Sequence, residues 1–581
     1  MSAKTQRHEN GRDAGPFAPF PRSRGSCGVV GPPRNPLRNE RKSSSEILTI
    51  TQIMGASTSP ISTQIVDTRR RRRLSDGAAV CALVVIGALL RAAYLGRFSF
   101  YGDEVFTLRI ACLPFAEAWK ALATDVHPPL HSLLIWGWVH VAGCSEFAAR
   151  IPGTAAGAAV ILLAWLVGRE VCGRRAGLAV AYLCATSPLL VLFSRTVRWY
   201  MPLAAISLLS LWLFARLMRG DAGWGWWAAH GLACIAGLYY DLTFIPVFLV
   251  QWIGFAVSGR RWAGRWYITQ AVALVAFVPW VAANRSSLLS GTGGFDRAPV
   301  FGGGLVKAAM LLFDAEIGPT ILPWHWQVVL PYTLVFGTAV TGALLALRRM
   351  PSQRERLQAW QASLLLGIPL LPPLMMLPLP RLSLPSYFIP SAVGYLLLKS
   401  FVFTGAPRRW TLLWMLAAAT CVNVAGLANL YAGREYQRAE FVDDWRYVAG
   451  AVAGMGGPDD IIIGTHPSFA WYLERNGKQA RAAAEVTDKD LRRASRVFCE
   501  FSPLSGYSEN NERAARETEA RLIAAGFEKE NVFGFNPDPY AGTKRRFVHR
   551  QFPPYRTTVT VYRRSKAFRA AGVWGMQSPR T

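Results

Sequence analysis

Apolar runs close to the length that crosses a bilayer recur from residue 77 to residue 430, with short polar stretches between them. This pattern predicts about eleven transmembrane helices. They fall at 77–96, 151–169, 176–193, 201–218, 225–240, 243–258, 267–283, 326–347, 360–378, 386–402 and 410–430. One further apolar segment, HPPLHSLLIWGWVHVAG at 127–143, is short, opens on a proline pair and holds His131 and His140. It reads as an interfacial helix rather than a span. Residues 1–73 are rich in Ser, Pro, Gly and Arg without a periodic apolar face, the pattern of a disordered basic tail.

Beyond residue 430 the pattern becomes that of a soluble domain. FVDDWRYVAGAVAGM and PSFAWYLERNG have helical periodicity, and NNERAARETEARLIAAGF predicts a charged helix closed by Gly526. DDIIIGTH, RRASRVFCEF and TTVTVYRRS predict strands. The expected fold class is therefore a mainly α membrane bundle over 74–430. A small α/β domain with a mainly parallel sheet follows over 431–581, with a disordered basic end.

Charge sets the orientation. The 64 Lys and Arg against 36 Asp and Glu leave +28, but the basic residues lie in the tails and in short clusters between apolar runs, such as Arg69–Arg73, GRRAG (173–177) and RRMPSQRER (348–356). That distribution orients a membrane protein and does not form a nucleic-acid face. Treating 127–143 as interfacial leaves every such cluster on the cytoplasmic side. The first span is then a retained anchor, and residues 97–150, 284–325 and the C-terminal domain face outward. The nine cysteines show no metal-ligand spacing. Cys112 and Cys144 fall on the outward side, where an oxidising compartment would allow them to pair.

Four polar features gather on that outer face. They are Asp103–Glu104 in SFYGDEVFTLRIA, His127 and His131 in HPPLH, Arg195, Arg198 and Tyr200 in SRTVRWYMP, and Arg381 and Tyr387 in LPRLSLPSYFIP. Each has a structural alternative: the acids would cap a helix or pair with Arg109, and the arginines, tyrosines and histidines would anchor at the interface. Carboxylates and guanidinium groups converging on one end of an apolar bundle suit group transfer from a phosphate-bearing donor. The cations neutralise the leaving phosphate, and a carboxylate deprotonates the acceptor hydroxyl.

FYGDEVF after the first span, HPPLH, SEFAARIPGTAAG, GRRAGLAVA and ATSPLLVLFSRTVRWYM occur in an order and spacing that resemble the GT-C class of membrane glycosyltransferases. Within that class it resembles the family that includes protein O-mannosyltransferases and aminoarabinose transferases. The resemblance implies a polyprenyl-phosphate-linked sugar as donor and a lipid, glycan or protein acceptor. Transfer would be an inverting single displacement on the extracytoplasmic face of a bacterial inner membrane. It implies Asp103 as general base with Glu104 in support, Arg198, Tyr200 and Arg381 at the donor phosphate, and His127, His131, Tyr240 and Tyr387 around the acceptor cavity. Two positions depart from the family pattern: Trp199 stands where proline is common, and Ser386 precedes Tyr387 in place of arginine. Some members of the class use a divalent metal ion and others do not, so the cofactor stays open. A transporter or flippase of lipid-linked sugars is the alternative from another class, although no internal repeat stands out. A non-catalytic scaffold displaying the C-terminal domain is the third.

Overall fold

The computed structural model describes residues 60–123, 125–220, 223–258, 263–290, 304–349, 357–376, 385–405, 409–434, 437–502, 509–538 and 555–565. Most of the expected N-terminal tail, the basic C-terminal end and Arg381 lie outside these residues. Every expected span coincides with a helix. The apolar part of the first helix is α1 (Ser75–Ala92). Three short helices follow before the bundle resumes, α2 (Gly102–Ala111), α3 (Phe115–Ala123) and α4 (Leu130–Ala142). Next come α5 (Glu146–Cys172), α6 (Arg174–Thr186), α7 (Pro188–Ser194), α8 (Tyr200–Arg219), α9 (Trp224–Tyr240), α10 (Ile245–Val257) and α11 (Ala263–Ser290). The bundle closes with α12 (Gly304–Glu316), α13 (Trp326–Arg349), α14 (Ala359–Met376), α15 (Ile389–Thr404) and α16 (Arg409–Ala432).

Among the described residues, α1, α5, α8, α11 and α16 are long and apolar enough to cross a bilayer, and α6 with α7 makes a sixth such span bent by 59°. The chain is an integral membrane protein. The other expected spans fall on α9, α10, α13, α14 and α15. At the α6–α7 bend, Pro188 carries no N–H, which orphans the carbonyl four residues earlier. The fully buried Arg91 of α1 supplies the missing donors, reaching Cys184 O at 2.9 Å and Ala185 O at 3.2 Å while its Nε donates to Ser194 Oγ at 3.0 Å. One arginine thus repairs a broken helix in an environment where an unsatisfied carbonyl is costly.

The small residues of IPGTAAG on α5 let the turn after α7 approach its backbone. A Cβ at Gly153 would stand 2.8 Å from Thr196 O, and one at Gly157 would stand 2.2 Å from Ser194 Oγ. The SRTVRWY turn is therefore pressed onto α5, and Arg195 is spent on α1: its guanidinium donates to Arg91 O, Ala93 O and Tyr94 O.

The C-terminal part holds α17 (Trp445–Met455), β1 (Ile461–Ile463), α18 (Pro467–Arg475), α19 (Asp488–Arg493), β2 (Arg496–Phe501), α20 (Glu509–Ala524), β3 (Phe527–Pro537) and β4 (Tyr555–Arg564). The strand order is β1-β2-β4-β3. Only β1 and β2 are parallel; β2–β4 and β4–β3 are antiparallel, so the sheet is mixed rather than mainly parallel. The difference lies in β3, which the sequence pattern does not reveal. It is a solvent-facing edge strand, largely exposed along its length, so no buried face imposes an apolar alternation on it. The domain does not hang free. Phe100, Val105 and Leu108 of the first loop share one apolar core with Ile135, Ala149, Trp445, Phe469, Phe498 and Val561.

If the α5 glycines set the position of the SRTVRWY turn, Gly157→Ala lowers stability by about 1–3 kcal/mol through overpacking, read as a fall in the melting temperature of the detergent-solubilised protein. Gly137→Ala, where an added Cβ meets nothing within 4 Å, does not lower it.

Candidate active site

The first-loop helix α2 begins with Tyr101 as N-cap, and Glu104 reaches back to accept the Tyr101 N–H at 3.2 Å, a capping-box contact. The same carboxylate takes a forked pair of bonds from Arg150 of α5, Nε to Oε1 at 2.9 Å and Nη2 to Oε2 at 2.7 Å. It also accepts the Val197 N–H at 2.9 Å. Glu104 is 0% exposed. Arg150 uses its remaining N–H groups on Leu95 O, Phe98 O and Ser99 O, so all five donors are engaged. One buried pair thereby ties α2, α5, the end of the first span and the SRTVRWY turn together.

Glu104, with no exposed atom, does not face solvent. Nor does the acidic pair use Arg109, whose partner is Glu474 of α18 at 2.9 Å in a half-exposed surface pair. Asp103, one residue earlier, is only half-buried. Its backbone carbonyl accepts Thr107 Oγ1–H at 3.2 Å and lies 3.4 Å from Arg198 Nη1, which donates to Thr107 Oγ1 at 3.1 Å. Burial works to lower the pKa of Arg198 and of Arg438, but acidic neighbours outweigh it and leave both raised: Tyr200, Asp103 and Tyr101 for Arg198, and Glu440 followed by Tyr200, Asp103 and Tyr101 for Arg438. The Arg198 Nε has no hydrogen-bond partner. Arg438 pairs with Glu440 and lies 5.1 Å from the centroid of the Phe441 ring.

Aromatic rings floor this cluster. Trp199 and Tyr387 lie 5.4 Å apart, Tyr200 and Tyr387 stack at 6.3 Å, and Tyr101 meets Phe441 edge-on at 4.7 Å. The C-terminal part closes the far side. His466, the N-cap of α18, stacks on Trp445 at 4.0 Å and accepts the Ser468 N–H on Nδ1. Its Cε1 and Nε2 lie 3.8 Å from where a Gly102 Cβ would be. Burial pushes this imidazole down to about 4 against the pull of Asp103, so it is neutral at physiological pH. Tyr472 fastens the same helix by donating to Glu146 at 2.6 Å and accepting the Phe100 N–H at 2.8 Å.

The fold has solved counterparts. ArnT from Cupriavidus metallidurans in the apo state matches with a TM-score of 0.54 at 14% identity, over 84% of this chain and 98% of that one. The same protein bound to undecaprenyl phosphate matches with a TM-score of 0.50 at 14% identity, over 86% and 99%. The sequence model of the dolichyl-phosphate-mannose-protein mannosyltransferase family matches residues 126–282. Comparison with curated protein sequences finds no match. The chain shares the fold of the GT-C glycosyltransferases.

Within this GT-C fold the remaining expected residues divide into two groups. Arg198, Tyr200 and Tyr387 join the Asp103 cluster. The HPPLH residues instead brace the α9–α10 joint: His127 Nδ1 lies 3.2 Å from Asp241 Oδ2, and His131 Nδ1 lies 3.1 Å from Tyr240 Oη. Burial works to lower the His127 pKa, but the hydrogen bond and charge of Asp241 outweigh it and leave the pKa raised. Arg198 and burial keep His131 neutral, at about 3. Among the described residues, no group of three or more His, Cys, Asp or Glu side chains could hold a metal ion.

Sequence reasoning missed Arg150, Arg438, His466 and Asp314. Arg150 sits inside SEFAARIPG, where its only signal is an arginine in an otherwise small and apolar stretch. The others lie hundreds of residues from the acidic pair, and no local pattern marks them. Asp314 of α12 is 6% exposed, and its Oδ1 has no hydrogen-bond partner. Burial pushes its pKa up to about 7, against the Gln437 hydrogen bond and the Arg438 charge.

Glu104→Gln keeps the shape but leaves Arg150 as a buried, uncompensated charge, a loss of about 3–5 kcal/mol. Removing the exposed partner Arg109 costs about 0–1 kcal/mol. Thermal unfolding of the two variants side by side checks the contrast. Asp314 holds its proton to a higher pH when folded than when unfolded, so its ionisation penalty grows as pH rises from about 4 through about 7. Asp314→Asn should therefore raise the melting temperature clearly at about pH 8 and little at about pH 4.

Proposed function

We propose that this protein is an integral-membrane glycosyltransferase that moves a sugar from a polyprenyl-phosphate-linked donor to a hydroxyl-bearing acceptor on the extracytoplasmic face. The observation that carries the reading is a half-buried Asp103 within electrostatic reach of two guanidinium groups, the buried Arg198 and the half-buried Arg438. Asp103 takes the proton of the acceptor hydroxyl, and the oxygen attacks the anomeric carbon from the face opposite the phosphate. The sugar–phosphate C–O bond breaks as the new one forms, which inverts the anomeric centre. Negative charge gathers on the departing polyprenyl phosphate, and fixed cations in a partly dehydrated site stabilise it.

Glu104 then acts through position, holding α2 against Arg150 so that Asp103 points at the reacting atoms. Arg198 and Arg438 take the donor phosphate, with Arg381 a further candidate from the loop before Tyr387. His127, His131 and Tyr240 wall the acceptor side, Trp199, Tyr200 and Tyr387 support the sugar, and the neutral His466 meets the acceptor from the C-terminal domain. The undecaprenyl phosphate bound by ArnT agrees with a polyprenyl donor here. The domain division follows the same reading, a membrane transferase over 74–430 and an extracytoplasmic domain over 431–581.

A second reading, a transporter or flippase of lipid-linked sugars, draws on the ion pair of Lys399 in α15 with Glu316 at 2.7 Å, because charges within apolar helices often mark a translocation path. Purified protein supplied with radiolabelled polyprenyl-phosphate sugars separates the two. The transferase reading expects Asp103→Asn to lower turnover by on the order of a hundredfold or more with donor binding retained. Undiminished turnover would sink Asp103 as base. Donor movement across vesicles, without consumption by either protein, would favour the transporter.

A further inference from the structure

Two cysteines meet at the edge of the candidate site. Cys112 is the C-cap of α2, and its N–H donates to Leu108 O at 2.9 Å. Cys144 lies between Gly143, which ends α4, and Ser145, the N-cap of α5. Cys144 packs against the apolar core that includes Ala111, the residue before Cys112, and the two thiols lie within interaction range of each other, with Cys112 exposed and Cys144 half-buried. Arg475 of α18 donates to both the carbonyl and the sulfur of Cys144, at 3.0 Å and 3.2 Å. The other described cysteines lie in the long apolar helices or, for Cys499, on β2.

We propose that Cys112 and Cys144 form a disulfide in the mature protein, an inference that rests on the outward placement of the first loop. The reaction couples two thiols to one S–S bond with loss of two protons and two electrons. An oxidised dithiol–disulfide exchange protein accepts them: one thiolate attacks its disulfide, the second thiol resolves the mixed disulfide, and the oxidant leaves as a dithiol. The bridge joins the end of the helix carrying Asp103 to the start of the helix carrying Arg150. It closes the segment 113–143, which holds α3, α4 and the HPPLH residues, into a covalent loop. The Glu104–Arg150 pair ties the start of α2 to the same N-terminal end of α5, so α2 becomes fixed at both of its termini relative to α5. Constraining the unfolded chain in this way stabilises the loop without any new contact in the native state.

The test uses the full-length protein purified without reductant, with free thiols trapped by N-ethylmaleimide at lysis. The protein is then digested and analysed by mass spectrometry. The expected result is a cross-linked peptide spanning Cys112 and Cys144 in most molecules, lighter by two hydrogens than the paired thiols and lost on reduction. Alkylation of both residues in most molecules without reductant would overturn the proposal, as would separate small-thiol adducts on each. Reduction should lower the melting temperature of the wild type by several degrees and leave that of the Cys112→Ser/Cys144→Ser double variant unchanged. A bridge whose reduction shifts nothing would overturn its role as a brace. None of these readouts depends on turnover, so a reduced pair beside an Asp103-dependent transferase would refute the bridge alone.

Discussion

The end of this bundle that carries Asp103 is built on one buried ion pair. Glu104 and Arg150 are both almost completely removed from water, and such a pair is tolerable only when its remaining hydrogen-bonding capacity is filled. Here it is filled by the capping N–H of Tyr101, the Val197 N–H and three carbonyls of the segment after α1. The network therefore draws on three separate stretches, residues 95–104, Arg150 and Val197, and the pair holds them together. The energetic demand of a buried charge thus becomes a geometric constraint, and Asp103, the residue before Glu104 on the same helix, lies within it.

The same economy recurs deeper in the bundle. Arg91 satisfies carbonyls freed by Pro188, and Arg195 caps the end of α1. Of the three basic residues that α1 and the SRTVRWY turn contribute, Arg91 and Arg195 are consumed by backbone repair, and Arg198 alone retains an unpartnered buried donor. In the proposed reaction, phosphate recognition would therefore concentrate on Arg198 and on Arg438, which arrives from beyond the last span.

The C-terminal part acts as a wall rather than an appendage. Tyr472, Trp445 and His466 pack onto the acidic loop through a shared apolar core and through hydrogen bonds to Phe100 and Glu146. Closure from that side places a neutral imidazole within electrostatic reach of Asp103. Such a group donates or accepts a hydrogen bond without adding charge. The proposed acceptor would then be read by residues from both parts of the chain.

What the chain's own pattern determined is the set of features with a local cause. Spans are legible because a bilayer demands about twenty apolar residues in a row. The acidic pair and the basic turns are legible because charge is costly near lipid. Even the α/β character of the C-terminal part follows from two distinct periodicities. Tertiary structure alone decided which acid is sequestered, since Asp103 and Glu104 are equivalent in sequence and differ only in which one faces Arg150. It also decided that Arg438 and His466 join Asp103, and that the HPPLH residues brace Tyr240 and Asp241. The exposed edge strand β3 came from tertiary structure as well, because a strand without a buried face leaves no periodic trace. Contacts between segments hundreds of residues apart leave no mark on a single sequence; they arise only when burial forces each polar group to find whichever partner the fold has brought near.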